Sequence, residues 1–295
     1  MTGVAVDRLG ARGVSEVLEQ AAVSMRTDPR RKGCCVHLPD HGRLLVTGDL
    51  HDHPIHFQKV KEYAELDKPD HHVVFHELIH GDTLMHGVDL SWRMLAKVAI
   101  LRMQHPEGVH PMLANHEIAQ AFGQQVSKGA GENTRLFGDG LEWSFGDDAE
   151  MVDAAIGVFI RAMPLAIRSA NGVFCSHSLP SPQTMAQFDL GILSRDLVDA
   201  DFEAVVGSAW SMTWGRGQTE ASVKALAKAW NVKLFIAGHK HVEDGVESPF
   251  PELLLINSDH EHGMVLVLDL SETAPTASDA VSRAVTLASI GECES

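Results

Sequence analysis

Short apolar runs that end in polar clusters recur along the chain. Residues 43–47 (RLLVT) form a compact apolar run stopped by Gly48, which predicts a buried strand feeding a loop. Pro54 is placed to open the following helix, with Phe57, Val60 and Ala64 on one side. The pattern then returns. HHVVFHE predicts a strand ending at His76 and Glu77, and residues 89–104 a helix. VHPML predicts a strand ending at Ala114, directly before NHE. NGVFCSHS reads as a strand ending at Ser176 and His177. Residues 219–230 read as a helix with Val223, Ala227 and Trp230 on one face. VKLFIAGHKH is a strand running into Gly238, His239, Lys240 and His241. An opening helix over 14–26 and closing strands at 253–257 and 264–268 complete the series.

Strands alternating with helices predict an α/β protein. The polar clusters fall just past the carboxyl ends of the strands, where open α/β sheets bind ligands. No repeat or low-complexity linker divides the chain, so residues 1–270 are expected to form a single domain. Residues 128–148, rich in Gly, Asp and Glu, read as an irregular loop that could cap a site. Residues 271–295 read as a loosely ordered C-terminal tail.

Composition narrows the function classes. At 295 residues and 44% hydrophobic, the chain can bury a substantial core. A formal charge of −16 disfavours nonspecific contact with nucleic acid or an anionic membrane. It does not exclude a phosphorylated substrate, because bound metal can reverse the local potential. No apolar run has the length of a membrane span, and the first residues lack the apolar core of a signal peptide. Cys34, Cys35, Cys175 and Cys293 read as reduced thiols, hence a cytoplasmic protein. Histidine is the unusual residue: there are 18, most of them beside Asp, Asn or Glu.

Five strand-end clusters carry metal-competent groups. In GDLHDH, Asp49 and His51 stand two apart and leave one face of an extended chain, although a polar helix-capping loop would look the same. Glu77 ends an apolar strand, and its two oxygens could bridge two cations. In NHE, Asn115 offers an amide oxygen and His116 a ring nitrogen, while the same residues also suit a helix start. His177 closes another strand, and GHKH aims His239 and His241 past Gly238. Each cluster alone has an ordinary structural explanation; five together are hard to explain as accidents. Nitrogen and oxygen donors without thiolate suit two divalent or trivalent ions, manganese or iron before zinc.

In order, GDLHDH, HELIHG, ANHE, SHS and GHKH resemble the motifs of the calcineurin-like metallophosphoesterases, over roughly residues 43–268. MPLAIRSANGVFCSHSLPSP and WNVKLFIAGHKHVEDGVE look like the phosphoprotein phosphatase branch in particular. The resemblance implies two packed mixed sheets flanked by helices in four layers. It implies that Asp49, His51 and His241 hold one metal, that Asn115, His177 and His239 hold the other, and that Glu77 bridges them. It further implies a binuclear, metal-dependent hydrolysis of a phosphomonoester, in a phosphoprotein or a small molecule. There a metal-activated hydroxide attacks phosphorus and His116 protonates the leaving oxygen.

Three positions depart from that pattern. Glu77 stands where the family has Asp, with Asp82 as a rival bridge. His80 stands where a second Asp pairs with the catalytic His, and Gly81 where the phosphatase branch has a phosphate-binding Arg. Arg216, in TWGRG, is the candidate to replace that Arg; the alternative is a surface arginine in a loop. Two further functions remain: a phosphodiesterase or dinucleotide polyphosphate hydrolase, and a degenerate scaffold that binds metal without turnover. Physiological substrate and oligomeric state are not encoded in any recognisable pattern.

Overall fold

The computed structural model describes residues 6–123 and 127–291. Helix α1 (Ala11–Arg26) begins at Ala11, not at residue 14, and buries Val14, Leu18, Ala21 and Met25. After it come β1 (Arg31–Lys32), β2 (Cys35–Leu38) and β3 (Arg43–Asp49). Pro54 occupies the first turn of α2 (Pro54–Tyr63), where its missing N–H costs nothing. The His53 ring caps this helix, accepting the His56 N–H at 3.2 Å. Then follow β4 (His71–His76), α3 (Trp92–Gln104), β5 (Val109–Pro111), α4 (Asn115–Phe122), α5 (Ser127–Phe145) and α6 (Ala149–Ile160). The second half has β6 (Ala166–Ser169), β7 (Val173–Ser176), α7 (Ser208–Trp214), α8 (Glu220–Trp230) and β8 (Leu234–Ala237). It closes with β9 (Val246–Phe250), β10 (Leu253–Ile256), β11 (Met264–Asp269), α9 (Ala277–Val281) and β12 (Ala284–Thr286).

Two mixed sheets result, as the sequence reading expected. One has seven strands in the order β1-β2-β6-β7-β8-β10-β9; the other has five, β12-β11-β3-β4-β5. Parallel pairs at the centre (β3 with β4, β4 with β5, β7 with β8, β8 with β10) bring their carboxyl ends to one edge. The layer between the sheets is aliphatic: Leu44, Val46, Val74, Cys175, Ile236 and Ile256 are all buried there. The outer faces pack on helices, and α1 lies against α3 and α6. The end of β3 also makes an isolated parallel bridge to the residue after β10, Asp49 with Asn257. No helix among the described residues is long and apolar enough to cross a membrane.

Two expectations are corrected. Residues 128–148 are not an irregular loop; most of them form α5. Glycines lower the local helix propensity of this stretch, but Phe137 and Leu141, one turn apart, are fully buried, and that packing prevails. Residues 271–291 are not a loose tail. β12 pairs antiparallel with β11, while Ala277, Ala280 and Leu287 enter the core. The last four residues of that expected tail lie outside the described residues.

Ending the chain at residue 270 should therefore expose the β11 edge and remove apolar burial. A thermal melt should show a midpoint lower by on the order of 5 °C, with poorer solubility. A truncated protein that melts with the full chain would contradict the assignment.

Candidate metal centre

The site forms where the loops after β3 and β4 are zipped together. Glu77 O accepts the N–H groups of Leu50 (2.9 Å) and His51 (3.0 Å), and Leu78 O accepts that of Asp52 (2.9 Å). These loops hold His51, Asp52, Glu77 and His80 at positive φ (42°, 52°, 29° and 61°), and the β8 exit holds His239 at 65°. Such conformations cost about 1–3 kcal/mol each for side-chain-bearing residues, and they gather where a site must be shaped. The strain turns Glu77 and His239 inward at the ends of their strands.

The side chains form two groups around one carboxylate. Asp49, His51 and Glu77 each offer a ligand atom within 4.8 Å of the others, with His51 Nε2 3.3 Å from Glu77 Oε2. Facing them, His177 Nε2 is 2.5 Å from Asn115 Oδ1 and 3.2 Å from His239 Nδ1, and His239 Nδ1 is 2.9 Å from Asn115 Oδ1. Glu77 Oε2 is also 3.7 Å from His177 Nε2, so it stands between the groups. Asp49 Oδ2 accepts the His239 N–H at 2.8 Å. Asn115 is the first residue of α4, Ala114 is its N-cap, and the amide is free to face the histidines.

The electrostatics call for positive charge. Asp49 and Glu77 are 4% and 2% exposed. Burial, then the Glu77 carboxylate, pushes the Asp49 carboxyl well up. Burial alone would raise Glu77, but the imidazoles of His116, His177, His51 and His239 hold it well below the usual range. His51 is pushed up to about 9: burial opposes this, and the Glu77 and Asp49 carboxylates overcome burial. Burial takes His239 down to about 4, against the pull of Glu77 and with the help of the Arg216 guanidinium. Asp49 Oδ1, His177 Nδ1 and His239 Nε2 are buried without a hydrogen-bond partner. Unpaired ring nitrogens and a carboxylate oxygen at one place fit a cation-binding centre.

Other residues fall less neatly. His241 is exposed and its ring lies 5.1 Å from that of His260; the structure does not bring it into the Asp49, His51 and Glu77 group. Asp82, the rival to Glu77, is exposed. Arg216 is exposed but borders a cavity of ≈ 230 Å³ with Ser178, Gln218, Gly238 and His239. A larger cavity of ≈ 970 Å³, lined by Arg30, His37 and His71, sits at the opposite ends of the strands from the motif residues.

His116 sits at the rim with its ring partly exposed and Nδ1 3.9 Å from Glu77 Oε1, and its backbone N–H donates to that oxygen at 3.2 Å. Burial holds its pKa below the ordinary imidazole value, with Glu77 acting the other way. Its ring is 5.4 Å from that of His80. His80 Nδ1 lies 2.7 Å from Asp89 Oδ2, and Phe137 of α5 packs edge-on against the His80 ring. The departure at Gly81 has a steric cause: a Cβ there would stand 2.2 Å from His51 O, so no arginine fits.

Three contributors escaped sequence reasoning. Asp89 had no signal, being a lone acid before a helix. Glu117 looked like a first-turn acid; buried, it accepts the Leu78 N–H at 2.8 Å and so ties α4 to the Glu77 loop. His76 was treated only as the end of a strand. Strand alternation could have shown that it shares a face with Val74, and the structure gathers it with Asp49 and His177.

The model of the family described as calcineurin-like phosphoesterase matches residues 42–243. Among solved structures, a protein serine/threonine phosphatase from Saccharomyces cerevisiae is similar at a TM-score of 0.59, with 15% identity over 88% of this chain and 83% of that one. A cold-active protein-tyrosine phosphatase from a psychrophilic Shewanella species has a TM-score of 0.56, with 14% identity over 84% of this chain and 80% of that one. At these identities the likeness speaks for the fold. Among curated protein sequences no match was found.

Replacing Glu77 with Ala should strip most bound metal, as read by elemental analysis, whereas Asp82→Ala should leave it unchanged; the reverse pattern would move the bridge to Asp82. A second test uses Glu117, which burial and then Glu77 push up to about 7. A folded pKa above the unfolded one means that the folded state holds the proton longer, so stability falls as pH rises from about 4.5 to about 7. In the metal-free protein, Glu117→Gln should make that fall shallower, since Asp49 and Asp52 are also raised by burial, and should melt above the parent at pH 8. Parallel pH profiles for the two would refute the assignment.

Proposed function

The chain belongs to the calcineurin-like phosphoesterase family, and we propose that this metal-dependent hydrolase is a phosphomonoesterase of the protein serine/threonine phosphatase kind. The observation that carries the reading is the Glu77 carboxylate, set 3.3 Å and 3.7 Å from imidazoles of two separate donor groups. Asp49, His51 and Glu77 would hold one metal, and Asn115, His177 and His239 the other, with Glu77 common to both. Manganese or iron suits this set of nitrogen and oxygen donors. When bound, the pair supplies an activated water and neutralises charge on the phosphoryl oxygens.

The remaining steps belong to the chain itself. Arg216 would receive a phosphoryl oxygen, a role supported by its position on the small cavity beside His239. His116 is the group available to protonate the leaving oxygen. Burial favours its neutral ring, and an arriving phosphoryl dianion supplies the negative charge that favours the imidazolium. Asp89 fixes the His80 ring with the Nδ1 proton toward the carboxylate. His80 then stands beside His116 in the place of the missing aspartate. The buried free thiols Cys34, Cys35 and Cys175 support a reducing, cytoplasmic setting.

A panel of phosphoserine peptides, aryl monoesters, aryl diesters and dinucleotide polyphosphates, assayed with Mn²⁺, tests the substrate class. Monoesters should be turned over fastest; a clear preference for diesters or dinucleotides would replace this reading. His116→Ala should cut turnover of poor leaving groups by about 10²–10⁴-fold. It should spare dinitrophenyl phosphate, whose leaving group needs no proton, and keep full metal content. A uniform loss on all substrates would remove His116 from the acid role.

A further inference from the structure

We propose that His76 is an additional metal ligand, completing with Asp49 and His177 a buried donor set on the face of the centre that looks into the inter-sheet core. The proposal rests on the reading that the centre binds metal, and adds to it a residue outside the five motifs.

The argument starts from β4. Val73 and Phe75 face the helical side, whereas Val74 faces the other sheet. By alternation His76 continues the Val74 face at the carboxyl end of the strand. The surroundings there are aliphatic, with Val46, Cys175, Ile236 and Ile256 filling the layer. A leucine would pack in such a place at no polar cost. Instead the position holds an imidazole with 0% exposure, and neither ring nitrogen has a hydrogen-bond partner. Leaving a buried polar group unpaired is costly, so the ring needs a partner that side chains alone do not supply.

Its neighbours lack partners too. Asp49 Oδ1 and His177 Nδ1 are buried without a hydrogen bond, and they lie 3.5 Å apart. One ligand atom from each of Asp49, His76 and His177 lies within 4.8 Å of the other two. Gly238 keeps the space between them open: a Cβ at that residue would stand 2.2 Å from Asp49 Oδ1 and 3.2 Å from His76 Nδ1. Two imidazoles and one carboxylate suit zinc, iron or cobalt far better than magnesium or calcium. Asp49 is common to this set and to the set with His51 and Glu77, so the two are parts of one centre; His177, whose Nε2 faces Asn115 and His239, would serve on both sides as an imidazolate, releasing its ring proton as metal binds. His76 thereby biases the centre toward imidazole-preferring metals.

The test compares the full chain with His76→Leu, His76→Gln and Glu77→Ala. Each protein is stripped of metal and titrated with Zn²⁺ and with Co²⁺ alone by calorimetry and visible spectroscopy. The expected result for His76→Leu is a tightest binding step weakened at least about tenfold, with altered Co²⁺ absorption bands. Its metal-free melting midpoint should be unchanged or raised, because leucine fills the layer without unpaired nitrogens. His76→Gln should also bind more weakly, which guards against misfolding of the leucine variant. Parent-like affinity and spectrum in both His76 variants, with loss only in Glu77→Ala, would overturn the His76 assignment and leave the metal centre standing. A lower metal-free midpoint with unchanged affinity would make His76 a packing residue and equally overturn it. Failure of the parent chain to bind either metal would overturn both.

Discussion

Two buried carboxylates that cannot both remain charged without a counter-charge are the constraint on which this structure turns. Asp49 and Glu77 come from neighbouring parallel strands and are held together by backbone bonds from Leu50 and His51 to Glu77 O. Removed from water, each raises the cost of ionising the other. The rings of His51, His116, His177 and His239 stand around them, and His51, pushed up to about 9 by the two carboxylates, partly answers that charge. A divalent cation answers it fully. The strained backbone at His51, Glu77 and His239, the Asn115 amide set against His177 and His239, and Glu117 bracing the Glu77 loop all serve the same arrangement.

The departures from the family motifs belong to one rebuilt corner. Glu77 has one more methylene than Asp, and its left-handed backbone turns the longer side chain in among the histidines. Gly81 leaves no room for an arginine because His51 O passes directly over it. His80 takes the aspartate's place beside His116, but a carboxylate still stands behind it in Asp89, and helix α5 closes over the ring through Phe137. What looked in sequence like the loss of an acid leaves a carboxylate two groups back from His116, in the hydrogen-bonded His80–Asp89 pair. That continuity favours an enzyme over a degenerate scaffold.

Much of the fold could be read from apolar runs and their stops. Strands β3, β4, β7, β8, β10 and β11 and helices α2, α3 and α8 were visible because each has a clear period and a clear breaker. Helix α5 was not, since its glycines mask a face whose anchors, Phe137 and Leu141 among them, are buried by tertiary contact. Strand β12 was not, because a three-residue edge strand has too little pattern to stand out and forms only by pairing with β11.

For the site, the sequence by itself determined which donor atoms are available and that they stand at strand ends: Asp49, His51, Glu77, Asn115, His116, His177 and His239 could all be named from type and position. Composition and strand alternation are local properties, and they suffice for that. Tertiary structure alone decided partnership. It set the exposed His241 ring 5.1 Å from that of His260, left Asp82 in solvent, and drew in His76, Asp89 and Glu117. The physical reason is that a metal-competent side chain becomes a ligand only where burial, backbone strain and neighbouring charge converge on the same few ångströms, and those come from strands far apart in the chain.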